Sequence, residues 1–319
     1  STQGDTLFPY TTLFRSSGRY KFTYRMQEGY DTTAVRRNGD INALRVEGGL
    51  FGHVEQGYWR AKVYFYNSER GYPGAVVRNK FSHEDRQWDT NFFTQGAFKK
   101  DFSPWYSLMV NGKYAYDYLH YLADPNKDES MMYTNNHYYQ QELYLSAANR
   151  FKPFSWWELN LSVDYQFNLL NADLRDFVFP RRHTMLAAAA SAMRFDRVEI
   201  QASLLGTLVH DRTRGNTMSD KRKLTPAVFL SWRPLGEEKG LNLRAFYKRI
   251  FRMPTLNDLY YTFVGNVNLD PEFTTQYDVG ATYSRTFSHT WLRSLELQAD
   301  VYYNQVENKI VATPTSKIG

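Results

Sequence analysis

Alternation with a period of two residues runs along almost the whole chain and narrows what it can fold into. Trp157, Leu159, Leu161, Val163, Tyr165 and Phe167 share one parity, and Glu158, Asn160, Ser162, Asp164 and Gln166 share the other. Leu295, Leu297, Ala299, Val301 and Tyr303 alternate in the same way with Glu296, Gln298, Asp300, Tyr302 and Asn304. Trp59, Ala61, Val63 and Phe65 alternate with Arg60, Lys62, Tyr64 and Tyr66, and Val198, Ile200, Ala202 and Leu204 with Glu199, Gln201 and Ser203. Successive side chains of a strand face opposite ways, so each segment reads as a strand with one apolar and one wet face. No segment carries a convincing 3.6-residue repeat. Thirteen strands are expected, centred near Phe22, Val46, Val63, Phe92, Val110, Leu143, Val163, Ala189, Leu204, Phe229, Ala245, Gly280 and Ala299. Most run to roughly 10–15 residues, longer than the strands of ordinary globular sheets and long enough to cross a bilayer when tilted.

The connections add a second constraint. Long loops and short turns alternate along the chain, six of each by this reading: long from Gln27, Ser68, Leu119, Leu170, Asp211 and Phe251, short near Gly52, Lys99, Phe151, Phe195, Pro234 and Phe287. An up-and-down transmembrane sheet sorts its loops this way, and a soluble sandwich or propeller has no reason to. The expected fold is all-β, an antiparallel up-and-down transmembrane β-barrel. Aromatic residues make up 17% of the chain, and Tyr64, Phe65, Tyr66, Tyr114, Tyr116, Tyr118, Tyr121, Trp156, Trp157 and Trp232 gather near strand ends. Tyr and Trp rings favour the lipid–water boundary. A polar parity facing a lumen accounts for a mean hydropathy of −0.60 in a membrane protein. Absence of cysteine excludes disulfide scaffolds, thiolate zinc sites and cysteine nucleophiles. The formal charge of +6 is spread along the chain and does not mark a nucleic-acid surface.

Both ends look unusual. Thr6 to Ser16, TLFPYTTLFRS, reads as a translated sequencing-adapter oligonucleotide fused in frame. The expected division is therefore a foreign segment over 1–16 and a partial barrel over 17–319, with Thr6–Ser16 off the sheet. The last residues stop just after a strand-like run, which reads as an internal fragment.

The segment Arg249-Ile250-Phe251-Arg252-Met253-Pro254-Thr255-Leu256-Asn257-Asp258-Leu259-Tyr260 precedes Gly265-Asn266, Leu269, Pro271-Glu272, Tyr277 and Gly280. It resembles the FRxPT…LY…GNxxLxPExxxxYExG motif in the barrel of TonB-dependent outer-membrane receptors, with Asp278-Val279-Gly280 where Glu-x-Gly is usual. Asn67 to Val76, with Arg86-Gln87-Trp88-Asp89 and Asn91-Phe92-Phe93, is similar to the Bacteroidetes branch of that family, to members labelled cobalamin receptors. The resemblance implies a barrel of about 22 strands, of which about 13 are here, and a missing N-terminal plug through which the TonB complex acts. It also implies an outer-membrane location, contact with membrane lipid or lipopolysaccharide, a surface lipoprotein as a further partner, and active import of a scarce bulky ligand. A corrinoid is the first candidate, followed by ferric siderophores and then oligosaccharides; a passive porin or adhesin barrel is the rival of another class.

Several residues are candidates for binding. Tyr72, Tyr260, Tyr261 and Phe263 offer flat faces to a large ligand, and Asn257, Asp258 and Asn266 offer polar groups to orient it. Asp124, Asn126 and Asp128 place oxygen ligands at alternate positions, but Glu129 and Asn135 break the EF-hand pattern, leaving an irregular outer-loop calcium site as the weaker reading. No other cofactor is expected. Arg36, Arg37, Arg181, Arg182, Arg212 and Arg214 are expected in long loops, within reach of an anionic ligand or lipopolysaccharide phosphate. The seven histidines show no paired metal spacing, and at least six are expected as strand-end or loop residues on the wet face. Phosphate-binding, dinucleotide-binding and nucleophile-elbow motifs are absent, and the resemblance implies import in which no bond of the ligand is made or broken, so no enzymatic activity is expected.

Overall fold

The computed structural model describes residues 4–26, 28–74, 83–124, 133–217, 220–236, 240–260, 266, 268–288 and 291–311. The alternating segments form strands β1 (Gly4–Ser16), β2 (Tyr20–Arg25), β3 (Asp31–Arg36), β4 (Ile41–Val54), β5 (Gly57–Tyr72), β6 (Asp85–Ser103), β7 (Tyr106–Ala123) and β8 (Thr134–Phe154). They continue as β9 (Trp157–Ala172), β10 (Arg181–Arg194), β11 (Val198–Thr213), β12 (Asn216–Thr217), β13 (Lys221–Trp232), β14 (Leu241–Arg252), β15 (Glu272–Thr286) and β16 (Ser294–Glu307). The described helix is one short turn, α1 (Leu256–Tyr260).

Thirteen strands follow one antiparallel path, β1-β4-β5-β6-β7-β8-β9-β10-β11-β13-β14-β15-β16, with β12 a spur on β11 and β2–β3 a separate hairpin. β1 and β16 end the path without pairing to each other, so the wall is an open, up-and-down sheet. The expected count is right, but its first member differs. The segment around Phe22 forms the outlying hairpin instead, and β1 takes the edge. The expectation that Thr6–Ser16 stays off the sheet is corrected: it ladders against β4 from Gly4↔Gly52 to Ser16↔Ile41. Ladder bonds join backbone to backbone, so a long free edge accepts any extended chain of suitable length.

Loop sorting is sharp in the first half and blurs in the second. Residues 55–56, 104–105 and 155–156 are tight turns opposite the longer 73–84 and 124–133. Further on, residues 233–240 and 287–293 on the short side match 173–180 and 214–220 on the other in length.

The sheet curls toward its polar parity. Asn257, after β14, shares a pocket with Asp89 on β6 and Asp117 on β7, strands several places away along the path. Only a wall curved around that loop brings them together. The opposite parity is therefore the outer face, where Leu161 and Val163 are exposed and Trp157, Leu159 and Tyr165 share the row. Outward aromatic residues form a girdle at the short-turn end, where Phe154 stacks on Trp156 (5.5 Å) and Trp156 on Phe195 (5.6 Å). A second lies toward the mouth, with Tyr118 against Tyr139 (5.0 Å) and Trp88 against His120 (4.7 Å). Tyr64, Tyr66 and Tyr121 belong to the inner parity instead, because they pair across strands with Phe93, Asn91 and Gln87. Four histidines are also outward, not on the wet inner face, as directly opposed pairs His120↔His137 and His183↔His210.

Candidate functional site

The inner face near the mouth is built around one buried ion pair. Arg182, second residue of β10, stands opposite Asp211 of β11. Its Nε donates to Asp211 Oδ1 at 2.7 Å and its Nη2 to Oδ2 at 2.8 Å, a two-pronged arrangement that suits the planar guanidinium. The residues are 5% and 6% exposed. The third guanidinium nitrogen, Nη1, donates to the carbonyl of Pro254. Arg182 is thus neither in a loop nor available to an external anion.

That contact pins the loop between β14 and β15 against the inner wall. Pro254 is fully buried, and Leu256 and Leu259 of α1 are buried beneath it. Thr255 and Asp258 cap the helix reciprocally: the Thr255 N–H donates to Asp258 Oδ2 (2.9 Å) and the Asp258 N–H to Thr255 Oγ1 (3.1 Å). Arg252 adds a long ion pair to Asp258 at 3.8 Å, and the Asn266 N–H donates to the Asp258 carbonyl at 2.8 Å. Asn266 Oδ1 accepts from the Asn268 N–H at 3.0 Å, tightening the turn that returns toward β15. Leu269 and Pro271 line a pocket with Asp211 and Pro254, and Glu272 accepts the Ile310 N–H. Tyr277 lies outward between Tyr247 and Tyr303. Gly280 sits between Arg244 and Asp300, which bond over it at 2.9 Å; a Cβ there would lie 2.0 Å from Asp300 Oδ1.

The loop leaves two cavities along the polar wall. One of about 430 Å³ is lined by Glu142, Gln166, Asn168, Arg182, Thr255 and Asn257 among others. Another, of about 190 Å³, is lined by Asp89, Asn91, Asp117, Gln140 and Asn257. Asn91 Nδ2 holds Asp117 at 2.6 Å, and Arg70 and Gln87 hold Asp89 at 3.1 and 2.9 Å. Tyr72 shares the inner row with Asp89, four residues nearer the mouth, and its ring meets Tyr121 at 6.4 Å. Tyr260 is next to the Arg182–Asp211 pair; burial first, and then the Asp211 charge, hold its phenol above the usual range against the opposing Arg182. Tyr261, Phe263 and Gly265 lie outside the described residues, as do Asn126 and Asp128 of the calcium candidates, whereas Asp124 directly follows β7. Among the described residues no cluster of three or more His, Asp or Glu side chains could hold a metal ion.

A second cluster ties the rim together. Arg86 bonds Asp40 (2.7 Å), Asn38 (3.2 Å) and Glu69. Asn38, at φ +59°, donates to the carbonyls of His83 (2.6 Å) and Asp85 (2.8 Å) and packs over Gly71, where a Cβ would clash with it. The Arg86 hydrogen bond holds the Asp40 carboxyl below the usual range. Sequence reasoning did not single out Asp40 or Asp211, and met Arg86 only as part of a family-like segment. Each is an ordinary charged residue at a strand end, and only the register reveals its partner.

A family described as "TonB dependent receptor-like, beta-barrel" matches residues 1–319. No curated protein matches the chain. Among solved structures, the copper transporter OprC superposes with a TM-score of 0.60 at 14% identity, covering 96% of this chain and 54% of that one. The FrpB iron transporter from Neisseria meningitidis (F5-1 variant) gives 0.65 at 10% identity, covering 96% and 56%. A hemophore receptor, HasR from Serratia marcescens, solved with its hemophore and heme, gives 0.61 at 11%, covering 97% and 54%. The chain spans about half the length of the solved receptors it matches, and these likenesses concern the fold alone.

Proposed function

Because this chain belongs to the TonB-dependent receptor β-barrel family, whose members sit in the outer membrane and transport rather than catalyse, we propose that it is the binding wall of an importer for a bulky ligand. The observation that carries this reading is the loop bearing Pro254, Thr255 and Asn257, folded inward and leaving polar cavities of about 430 and 190 Å³ between itself and the wall. In the complete receptor a plug domain coupled to the TonB complex supplies the energy that releases ligand inward. A surface lipoprotein lid over the mouth belongs to the same proposal.

Asn257 and Tyr260 are the contacts most directly supported, since Asn257 lines both cavities and Tyr260 flanks the buried pair. Asp258 and Asn266 act by shaping the loop that presents them. Tyr72, Tyr261 and Phe263 complete the proposed aromatic lining, and an irregular calcium site at Asp124, Asn126 and Asp128 stays a secondary proposal. For the ligand we propose a corrinoid, on the resemblance of the β5–β6 segments, with a ferric siderophore as the second reading. The second reading is favoured by fold neighbours that include a copper transporter, an iron transporter and a hemophore receptor solved with heme.

The test is growth of a corrinoid-dependent strain whose only receptor is the complete protein. Replacing Tyr260 and Tyr261 with Ala is expected to weaken uptake several-fold, at about 1 kcal/mol or more for each lost aromatic anchor. Growth on ferric siderophore but not on cobalamin, with intact protein in the membrane, would transfer the assignment to iron.

A further inference from the structure

The ladder between β13 and β14 stops half-way. β13 pairs with β11 along its whole length, from Lys221↔Val209 to Trp232↔Val198. β14 likewise pairs with β15 throughout, from Leu241↔Tyr283 to Arg252↔Glu272. Between β13 and β14 themselves the rungs run only from Trp232↔Leu243 to Ala227↔Lys248. Above Ala227 no rung joins 221–226 to 249–252 among the described residues. Pro226 stands where the pairing ends, and a proline, with no N–H to donate, belongs at a sheet edge rather than in mid-wall. Ala227 is five residues along β13 from Trp232, about 12 Å of height at a strand tilt of 35–45°. The seam therefore starts near the middle of an apolar band about 25 Å tall. Unladdered backbone at that depth persists only against protein or a water-filled space. A cavity of about 280 Å³, lined by Asp211, Lys221, Pro254, Leu259, Asn268 and Asp270 among others, joins the two sides of the seam there.

What spans the seam is therefore side chains and loop, not backbone rungs. Arg182, on the β10–β11–β13 side, donates to the carbonyl of Pro254, two residues past the end of β14. Lys223 of β13 places its Nζ 5.4 Å from the centre of the Phe273 ring on β15, and Arg249 of β14 lies over the same ring at 4.9 Å. Two cations that share one ring repel each other, so this second tie is the weaker one.

We propose that the β13–β14 seam is a hinge line in the wall, bolted shut by the contact between Arg182 and Pro254. Releasing the bolt parts β14 from β13 above Ala227 and carries the loop after β14 away from β10 and β11. The rungs from Ala227 to Trp232 stay closed and serve as the pivot. Withdrawal of the loop would merge the chambers of about 430 and 190 Å³ that Asn257 now lines, making room for a ligand larger than either. That use of the hinge rests on the importer reading, whereas the hinge itself does not.

The test uses the complete receptor in detergent, with heat-shifted gel mobility identifying the folded fraction. Arg182→Met/Asp211→Leu removes the bolt without leaving a buried charge. Lys223→Cys/Phe273→Cys straddles the seam, and Leu230→Cys/Ala245→Cys marks a closed rung below it. A short bismaleimide is expected to cross-link both pairs in the bolted receptor and, once the bolt is removed, to lose at least three-fold in yield at the upper pair alone. Thr225 and Ser231 are buried on one face of β13, above and below Ala227, at 6% and 7% exposure. Maleimide labelling of Thr225→Cys should quicken at least ten-fold on unbolting, and that of Ser231→Cys should not. Pro226→Val, which returns a donor to the strand, should reverse both changes. Unchanged cross-linking at the upper pair, equal quickening at Thr225→Cys and Ser231→Cys, or changes that Pro226→Val leaves untouched would each overturn the proposal. No transported molecule enters the test, so a wrong ligand assignment leaves its outcome unaffected.

Discussion

Arg181–Arg212 and Arg182–Asp211 are neighbouring rungs of the same ladder, one residue apart, yet they solve opposite problems. On the inner face, opposite charges meet, all three guanidinium nitrogens have acceptors, and both residues are buried. On the outer face, like charges meet in the open, with no ion-pair partner among the described residues. Alternation places both sets, but only the inner set is complete within the protein. A charge pair that closes on itself fixes structure, and one left open does not.

The largest expected effect comes from breaking the closed set. Asp211→Ala strands a buried guanidinium, and losing one partner of such a pair costs about 3–5 kcal/mol. Urea unfolding of the complete receptor should show that loss, and hydrogen exchange at Leu256–Tyr260 should accelerate with it. Arg182→Met/Asp211→Leu removes both charges and should recover most of the stability, since buried ion pairs are often replaceable by apolar groups. A double variant as unstable as Asp211→Ala would mean that the Pro254 contact, not the charge balance, dominates.

The cap over the same loop is a smaller lever. Thr255→Ala removes one of two reciprocal bonds and should cost about 1 kcal/mol. The loss should appear as faster exchange within α1 while the strand amides keep their protection.

The rim cluster is an intermediate case, paired but half-open to solvent. Asp40 titrates below its usual range because Arg86 bonds its charged form. A depressed carboxyl contributes stability that is full above its unfolded value near 4 and is lost as the pH falls through the lower folded value. With the Asp40 side chain 41% exposed, solvent screening holds that contribution under about 1 kcal/mol. Exchange at residues 38–40 should therefore quicken below pH 4 in the native protein and show no such pH step in Asp40→Asn.

The smallest effect belongs to the open set. Arg212→Glu converts the repulsive pair into an attractive one and should stabilise the lipid-free protein by about 0.2–1 kcal/mol. A destabilised variant in lipid-free detergent would show that Arg181 and Arg212 do not oppose each other as the register places them.

Much of this wall was legible in the sequence, for a physical reason. Lipid and lumen sort side chains by parity, so β9 and β16 announce their faces residue by residue. What depended on pairing between distant segments was not legible. Nothing local tells Phe22 that its segment forms a detached hairpin, or tells β1 that the free edge of β4 will take it. The motif from Arg252 to Gly280 was visible, but its mechanics were not. Pro254 matters because a strand 72 positions earlier in the chain supplies the donor for its carbonyl. Tyr64 and Tyr66 show the limit of composition: aromatic residues near strand ends suggested the lipid boundary, while their parity with Arg60 and Lys62 put them inside.

The central claim is that the loop after β14 lies inside the wall, against β6 and β7. The chain has no cysteine, so an introduced pair is unambiguous within it. Asn257→Cys with Asp89→Cys in the complete receptor, treated in outer membranes with a short bismaleimide, should cross-link efficiently, because both residues line one pocket of about 190 Å³. Asn257→Cys with Val163→Cys, which faces the lipid, should not. Equal cross-linking of the two pairs, or none with Asp89→Cys, would contradict the account.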